Sequence, residues 1–229
     1  MLNRSVVPHV ILGGLLLTAL ARGVEAQACF GLAPRGGVAY ENIRYSVGTG
    51  HAVNAGVAAG HVALGGSARV VRINDVADGY EGGIRIAGII PISRVQLCPG
   101  IGVNYRHDDW VTRQNATLAT DQLALRAGAG IGMEQPIYKG FSLIPSVGVH
   151  YQFDVYKFDV KSTSANEITT TGDTVSRVAI DYGLVARYRF LYVGVSAARF
   201  SDAQGIRPSV ARYIIGFAFG NSSPKRRED

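Results

Sequence analysis

The 229-residue sequence has little of the material from which a function is usually assigned. It contains two cysteines, two methionines and one tryptophan, and only 17% of its residues are charged. It has neither Cys-x-x-Cys nor His-Glu-x-x-His, the common zinc signatures. The Gly-x-Ser-x-Gly of many hydrolases and the glycine-rich loop of nucleotide-binding enzymes are also missing. We therefore predict no metal, no cofactor and no enzymatic activity.

The basic charge of the chain is also not gathered into a patch. The 23 lysines and arginines outnumber the 17 acidic residues, which gives a formal net charge of +6. Recognition of nucleic acid requires such charges to cluster on one face. Here the arginines are scattered singly along the chain, so we expect no nucleic-acid partner.

Only one long hydrophobic run is present, and it lies at the start of the chain. Arg4 precedes the apolar run 6–21, and small residues follow it. This pattern is typical of a signal peptide spanning 1–26, with cleavage after residue 28 as the alternative. A transmembrane helix is less favoured, because it would need about 20 apolar residues. A lipid anchor on Cys29 is also less favoured, because Ala26 and Gln27 are a poor match to the lipobox that precedes a lipidated cysteine. Export without a second apolar helix leaves the periplasm, the outer membrane or the exterior.

The rest of the chain alternates with a period of two residues, which predicts β-strands. One face of each segment is apolar, and the other is mostly Gly, Ala and Ser with isolated charges. The segments are long, whereas soluble strands usually have about 5–6 residues and a membrane-crossing strand needs about 9–11. The pattern therefore favours a transmembrane β-barrel over a soluble exported β-sandwich, which alternates as well. The segments are 62–70, 82–90, 95–106, 122–134, 141–156, 177–188 and 211–219.

Loop lengths and aromatic positions fit a closed antiparallel up-and-down barrel over 29–219, followed by a polar periplasmic tail at 220–229. Short links alternate with longer polar ones, and aromatic residues fall near both ends of the strands, as in membrane barrels. Counting back from residue 219 gives eight strands. A hairpin turning at 48–50 would make ten, which we prefer to eight strands with an N-terminal extension. The longer links, among them 74–81 and 107–121, are expected to hold solvated acids such as Glu81 and Asp108.

The inward face predicts a luminal charge network. A charge in a narrow lumen must be paired or hydrated, so either ion pairs plug the barrel or the excess arginine lines an anion-preferring path. Aqueous channels belong to barrels of about 16–18 strands, so we favour the plug. The network consists of Arg69, Arg85, Arg106, Arg126, Glu134, His150, Asp154, Arg177, Asp181, Arg187 and Arg212.

Two smaller features remain. Cys98 is expected to face inward near the periplasmic end, where a disulfide with Cys29 would tie the N-terminus to the barrel; two free thiols, or one lipidated cysteine, are the alternatives. His107, Asp108 and Asp109 offer a weak alternative catalytic or cation site, similar to the His/Asp pairs of omptin-type proteases. Adjacent residues on a strand point to opposite sides, however, and no further partner is fixed by spacing.

As a whole, the mature chain resembles small bacterial outer-membrane β-barrels of the OmpA/OmpX-like superfamily. The most specific element is the C-terminal strand, in which Arg212, Phe217 and Phe219 match the signal read by the barrel-assembly machinery, although Ile214 replaces a glycine and ten residues follow. The resemblance implies an integral outer-membrane protein of a diderm bacterium, surrounded by lipid and lipopolysaccharide, which we expect to be monomeric. It implies a structural, surface-interaction or minor pore role. An outer-membrane protease or lipid-modifying enzyme is the alternative, because fold does not decide function.

Overall fold

The fold is described from a computed structural model. It describes residues 36–45, 48–73, 77–93, 95–110, 116–162, 168–201 and 209–218. The predicted signal peptide, Cys29, Phe219 and the C-terminal tail lie outside these residues. Within them, no helix is long and apolar enough to cross a membrane.

The chain folds into a closed antiparallel barrel of ten long strands, so the ten-strand prediction is confirmed and the eight-strand alternative is wrong. Each long strand pairs with its neighbour in sequence, and the first pairs with the last from Gly37↔Ala218 to Tyr45↔Val210. Two short strands, β5 and β8, continue β4 and β7 after brief interruptions and pair with β6 and β9. The strands are β1 (Gly36–Tyr45), β2 (Gly48–Ala59), β3 (Val62–Ile73), β4 (Ala77–Gly88), β5 (Ile90–Ile92), β6 (Val95–Trp110), β7 (Ala116–Gly132), β8 (Gln135–Tyr138), β9 (Phe141–Ser162), β10 (Ile168–Tyr188), β11 (Leu191–Ser201) and β12 (Ser209–Ala218).

The two ends of the barrel differ in their connections. We call the end at which β1 begins and β12 ends the near rim, and the opposite end the far rim. Connections at the near rim are tight, and Gly60, Gly140 and Arg189 adopt positive φ of 57°, 75° and 54° there. At the far rim several strands extend well beyond the length needed to cross a bilayer, since β9 has 22 residues and β10 has 21. We call this extension, residues 106–110, 116–121, 157–162 and 168–176, the raised wall.

Two predicted boundaries were wrong. The first hairpin does not turn at 48–50, because Gly48 is already paired with Tyr45 and belongs to β2. The stretch 107–121 is also not one loop, because β6 continues to Trp110 and pairs with β7 as far as Leu118. The acidic residues of that stretch suggested a loop. They are compatible with a strand, because a strand that has left the apolar layer can carry charge at no cost in desolvation.

The outer surface of the barrel is apolar. Val57, Leu64, Ile86 and Ile101 face each other across four successive strands, and they are 61%, 51%, 44% and 62% exposed. Contiguous apolar patches larger than a few hundred Å² are rare on proteins that face water. Aliphatic side chains continue around the other strands, so the barrel presents an apolar surface to its surroundings.

Apolar side chains cluster inside the barrel at the near rim. Tyr192, Ile144 and Val185 pack with Ala39 and Ala218 in one cluster, and a second cluster joins Ala63, Ile89 and Cys98. Tyr192 is only 2% exposed, so this aromatic residue near a strand end faces the interior and does not belong to an aromatic belt on the outer surface. A third cluster, of Ile43, Ala52, Ala198 and Val210, lies towards the far rim, with Tyr45 and Phe200 against it. The charged residues occupy the space between these clusters.

Candidate functional site: the charged lumen

The structure places every residue of the sequence-derived charge network on the inner face of the barrel or, for Glu134, at its near rim. The alternation of burial along the strands shows this orientation for the other residues, whereas Arg85 has the inward parity of its strand, opposite Gly65 and Gly102, but is exposed. Glu41 also belongs to the inner face, between the buried residues Ala39 and Ile43. The sequence interpretation missed Glu41, although it has the same parity as those two apolar neighbours.

Asp154 is the most deeply enclosed of the luminal carboxylates. It is fully buried, and its Oδ2 lies 2.6 Å from Nη2 of Arg177 on the neighbouring strand. Its Oδ1 accepts hydrogen bonds from Nε2 of Gln122 and Nε2 of Gln152, at 2.8 and 2.7 Å. A buried carboxylate is tolerated only with such partners, so this group ties β7, β9 and β10 together inside the lumen.

Glu81 and Asp108 are part of the same interior, and their assignment to solvated loops was wrong. Glu81 accepts a 2.9 Å hydrogen bond from Arg69 and a 2.5 Å hydrogen bond from Asn104. The carboxylate of Asp108 accepts hydrogen bonds from Nε and Nη2 of Arg106, each of 2.8 Å, in a fork-like geometry. Both acids have the parity of the inward residues on their own strands, so continuing the alternation past the predicted strand ends would have found them.

Further ion pairs lie closer to the near rim. Arg187 pairs with Glu134, which also accepts a 2.6 Å hydrogen bond from Ser142. Asp181 lies 2.8 Å from Nδ1 of His150 and 3.7 Å from Nη1 of Arg212. These pairs connect β10 to the end of β7, to β9 and to β12.

Glycine makes room for some of these side chains. Gly128 faces His150 across the β7–β9 ladder, and a Cβ at Gly128 would lie 2.5 Å from the Cβ of His150. Gly65 and Gly102 flank Arg85 in a similar way, with contacts of 3.3 and 3.1 Å for an added Cβ. At these positions glycine is therefore a packing requirement of the large luminal residues.

A cavity of about 140 Å³ lies within this network. Arginines and amides dominate its wall, and Glu81 is its one carboxylate. Tyr45, Phe200 and Val210, which stand towards the far rim, complete the wall on one side. The charged part of the wall consists of Arg69, Glu81, Arg106, Arg126, Arg177 and Arg212, and the amides are Asn104, Gln122 and Gln152.

The weak alternative site does not assemble. Asp108 points into the lumen, whereas His107 and Asp109 lie on the outer face of β6 within the raised wall. Nδ1 of His107 lies 2.8 Å from Oδ1 of Asp121, and Nε2 lies 3.3 Å from Oδ1 of Asp109. The hydrogen bond with Asp121 raises the pKa of His107, and Asp109 adds to the effect. Both ring nitrogens are directed at carboxylates, which favours the protonated imidazole and leaves neither nitrogen directed at a substrate.

Other predicted features are only partly described. Cys98 is buried on the inner face at the near rim, against Ala63 and Ile89, as the tether hypothesis requires. Cys29 lies outside the described residues, so the Cys29–Cys98 disulfide stays a prediction. In the final strand Arg212 faces inward and Phe217 faces outward, where it stacks on Phe190. The described residues contain no group of three or more side chains that could hold a metal ion.

Comparisons with known proteins give the following. No protein-family model matches the chain, and no curated protein matches it. Among solved structures, the translocator domain of the autotransporter NalP from Neisseria meningitidis is similar, with 13% identity, a TM-score of 0.46, and coverage of 94% of this chain and 98% of that one. The N-terminal β-barrel domain of Pseudomonas aeruginosa OprF (11% identity, TM-score 0.32, 80% and 96% coverage) is similar as well. So is Ail, the attachment invasion locus protein of Yersinia pestis (10% identity, TM-score 0.34, 80% and 92% coverage).

Proposed function

We propose that the protein is a monomeric, integral outer-membrane barrel with a structural and surface-interaction role. The observation that carries this proposal is the inverted distribution of polarity, with aliphatic residues on the outer face and ion pairs inside. In water that arrangement would expose the apolar surface and bury the charges, which is the reverse of what folding favours. In a lipid bilayer both faces have suitable surroundings.

The filled lumen supports a structural barrel rather than an open pore. Apolar clusters line the interior at the near rim, and ion-paired arginines and carboxylates occupy much of the space between them and the far rim. Ten strands enclose a narrow interior, and aqueous channels require about 16–18 strands. A minor pore for small solutes is the alternative, and planar-bilayer recording would detect it.

The raised wall supports the surface-interaction part of the proposal. It projects beyond the roughly 11 residues that a tilted strand needs to cross a bilayer, and it carries both charges and aliphatic residues. Lys157 and Asp159 form an ion pair of 2.7 Å there, and Ile168 is 64% exposed. We infer that lipopolysaccharide and other surface molecules contact this wall, and that the barrel-assembly machinery inserts the protein through its last strand.

A membrane hydrolase is the competing class. Its best candidate residues are His107 and Asp109, but the two ring nitrogens of His107 are both engaged by carboxylates. We propose that these residues stabilise the raised wall and do not catalyse a reaction. Hydrolysis of a lipid or peptide that is present in the wild type and lost in His107→Ala would contradict this assignment.

The decisive experiment is purification from membranes in detergent, followed by gel mobility with and without heating and by planar-bilayer recording. We expect the protein in the outer-membrane fraction, faster migration of the unheated form, and no stable conductance steps. Extraction without detergent would contradict the membrane assignment. Regular anion-selective conductance steps that are lost in Arg126→Ala would show that the protein is a pore and would contradict the structural role.

The tether between the N-terminus and the barrel is tested separately. We propose that Cys29 and Cys98 form a disulfide in the exported protein, because the export route is oxidising and Cys98 is buried at the rim that the N-terminus must reach. Mass mapping of the non-reduced protein should find the two cysteine peptides joined. Two thiols that both react with an alkylating reagent would exclude the bond.

A further inference from the structure

We propose that the luminal cavity is a binding site for one small oxyanion of the size of phosphate or sulfate. The proposal depends on the closed barrel and its interior, and it does not depend on the membrane or the role assigned above. It concerns the 140 Å³ cavity walled by Arg69, Arg106, Arg126, Arg177 and Arg212.

The balance of charge inside the barrel is the first argument. Arg126 has no carboxylate within ion-pairing distance among the described residues. Glu81 and Asp181 act on it only at longer range, and both already serve other partners. Along the whole inner side seven arginines meet seven carboxylates, of which Asp173 lies exposed in the raised wall. At the cavity itself the described side chains are unequal, because five arginines line it and Glu81 is the one carboxylate among them.

An arginine cannot relieve this imbalance by losing its proton. The guanidinium stays charged under all conditions relevant to proteins. A desolvated cation without a partner costs several kcal/mol, so Arg126 needs either water or a negative group next to it. No other described side chain on the inner face supplies one, and a bound anion would.

Unsatisfied donors are the second argument. The Nε atoms of Arg69, Arg126 and Arg177 are buried and donate to no described group, although all three arginines line the same cavity. Buried donors in native proteins are nearly always satisfied. Arginine forks match tetrahedral oxyanions because two parallel N–H groups reach two oxygens. Asn104 and Gln122 add amide groups to the same wall.

Size and access agree with this ligand. One water needs about 10–15 Å³ of such space, so the cavity is roughly tenfold larger than a single-water site. The apolar clusters around Tyr192 and Cys98 lie between the cavity and the near rim, whereas the cavity wall includes Tyr45 and Phe200 towards the far rim. We infer that the anion enters from the far rim.

The test is equilibrium dialysis of the folded, detergent-solubilised full chain against radioactive sulfate at constant ionic strength. Unlabelled phosphate and acetate serve as competitors, because phosphate has the same shape and charge class and acetate does not. We expect one saturable sulfate site per chain, displaced by phosphate and much less by acetate. A lumen that holds only water would show no saturable binding, and that result would overturn the proposal.

Variants locate the site. Arg126→Gln removes the unmatched charge, and we expect sulfate affinity to fall by about tenfold or more, the factor that loss of a charge-assisted hydrogen bond represents. Arg72→Gln is the matched control, because it removes one arginine from an exposed ion pair outside the lumen and should bind like the wild type. If Arg126→Gln does not fold, Arg126→Lys takes its place and should bind more weakly because the fork is lost. Unchanged affinity in the folded Arg126 variant would overturn the proposal.

Discussion

Replacing Ile101 by arginine distinguishes a lipid-facing surface from one that faces water. Ile101 lies near the middle of the segment of β6 that would cross the bilayer, and it is 62% exposed. An arginine at the midplane on the lipid side of a barrel costs about 2–4 kcal/mol. The same change on a water-exposed surface usually stays within about 0.5 kcal/mol. We therefore expect Ile101→Arg to lower the free energy of unfolding by about 2–4 kcal/mol.

Ile168 provides a matched control for this change. It is the same residue type and is 64% exposed, but it lies in the raised wall, beyond the segment that we propose crosses the bilayer. Ile168→Arg should change the free energy of unfolding by no more than about 0.5 kcal/mol. The assay is reversible urea unfolding of both variants and the wild type in lipid vesicles. Equal and small effects at the two positions would refute the membrane-facing assignment of the outer surface.

Three further substitutions or conditions test the interior and the raised wall. Gly128→Ala should destabilise the barrel by about 1–3 kcal/mol through overpacking, whereas Gly130→Ala, whose added Cβ would meet nothing closer than 3.6 Å, should have a much smaller effect in the same unfolding assay. Asp154→Asn should cost about 3–5 kcal/mol, because it leaves its arginine partner buried without a counter-charge; a loss below 1 kcal/mol, the value usual for exposed pairs, would contradict the burial. The pKa of His107 is raised, so its contribution to stability should be complete below pH about 6.5 and be lost as the pH rises through the folded-state pKa. The pKa of Asp121 is lowered, so its contribution should be lost as the pH falls through its own folded-state value; NMR titration of the imidazole would contradict the account if its pKa lay at or below 6.5.

The orientation of side chains was predictable because the period of a strand is two residues. Leu64, Ile86 and Ile101 face outwards and Arg69, Asp154 and Arg212 face inwards, as the alternation indicated. This works in a barrel since each face has one kind of environment along the whole strand. The end of a strand has no comparable signal once the chain has left the apolar layer. Asp108 and Glu81 were therefore assigned to loops although the ladders continue through them.

The partners within the lumen could not be predicted from the sequence. Arg177 meets Asp154 on the neighbouring strand, and Arg69 meets Glu81 through the register of β3 and β4. Such pairs depend on the stagger between strands, which follows from closure of the barrel and not from local sequence. The cavity next to Arg126 depends in turn on side chains from β1, β3, β4, β6, β7, β9, β10, β11 and β12, so no single motif encodes it.

A membrane-spanning barrel must hold position 101 on its outer surface within the bilayer and position 168 outside it. Spin labels at positions 101 and 168, attached in a background without the native cysteines, report this by their collision rates with oxygen and with a water-soluble nickel complex. The label at 101 should collide with oxygen and be shielded from nickel, and the label at 168 should show the opposite preference. Free access of the nickel complex to position 101 in folded, vesicle-reconstituted protein would contradict a membrane-spanning barrel.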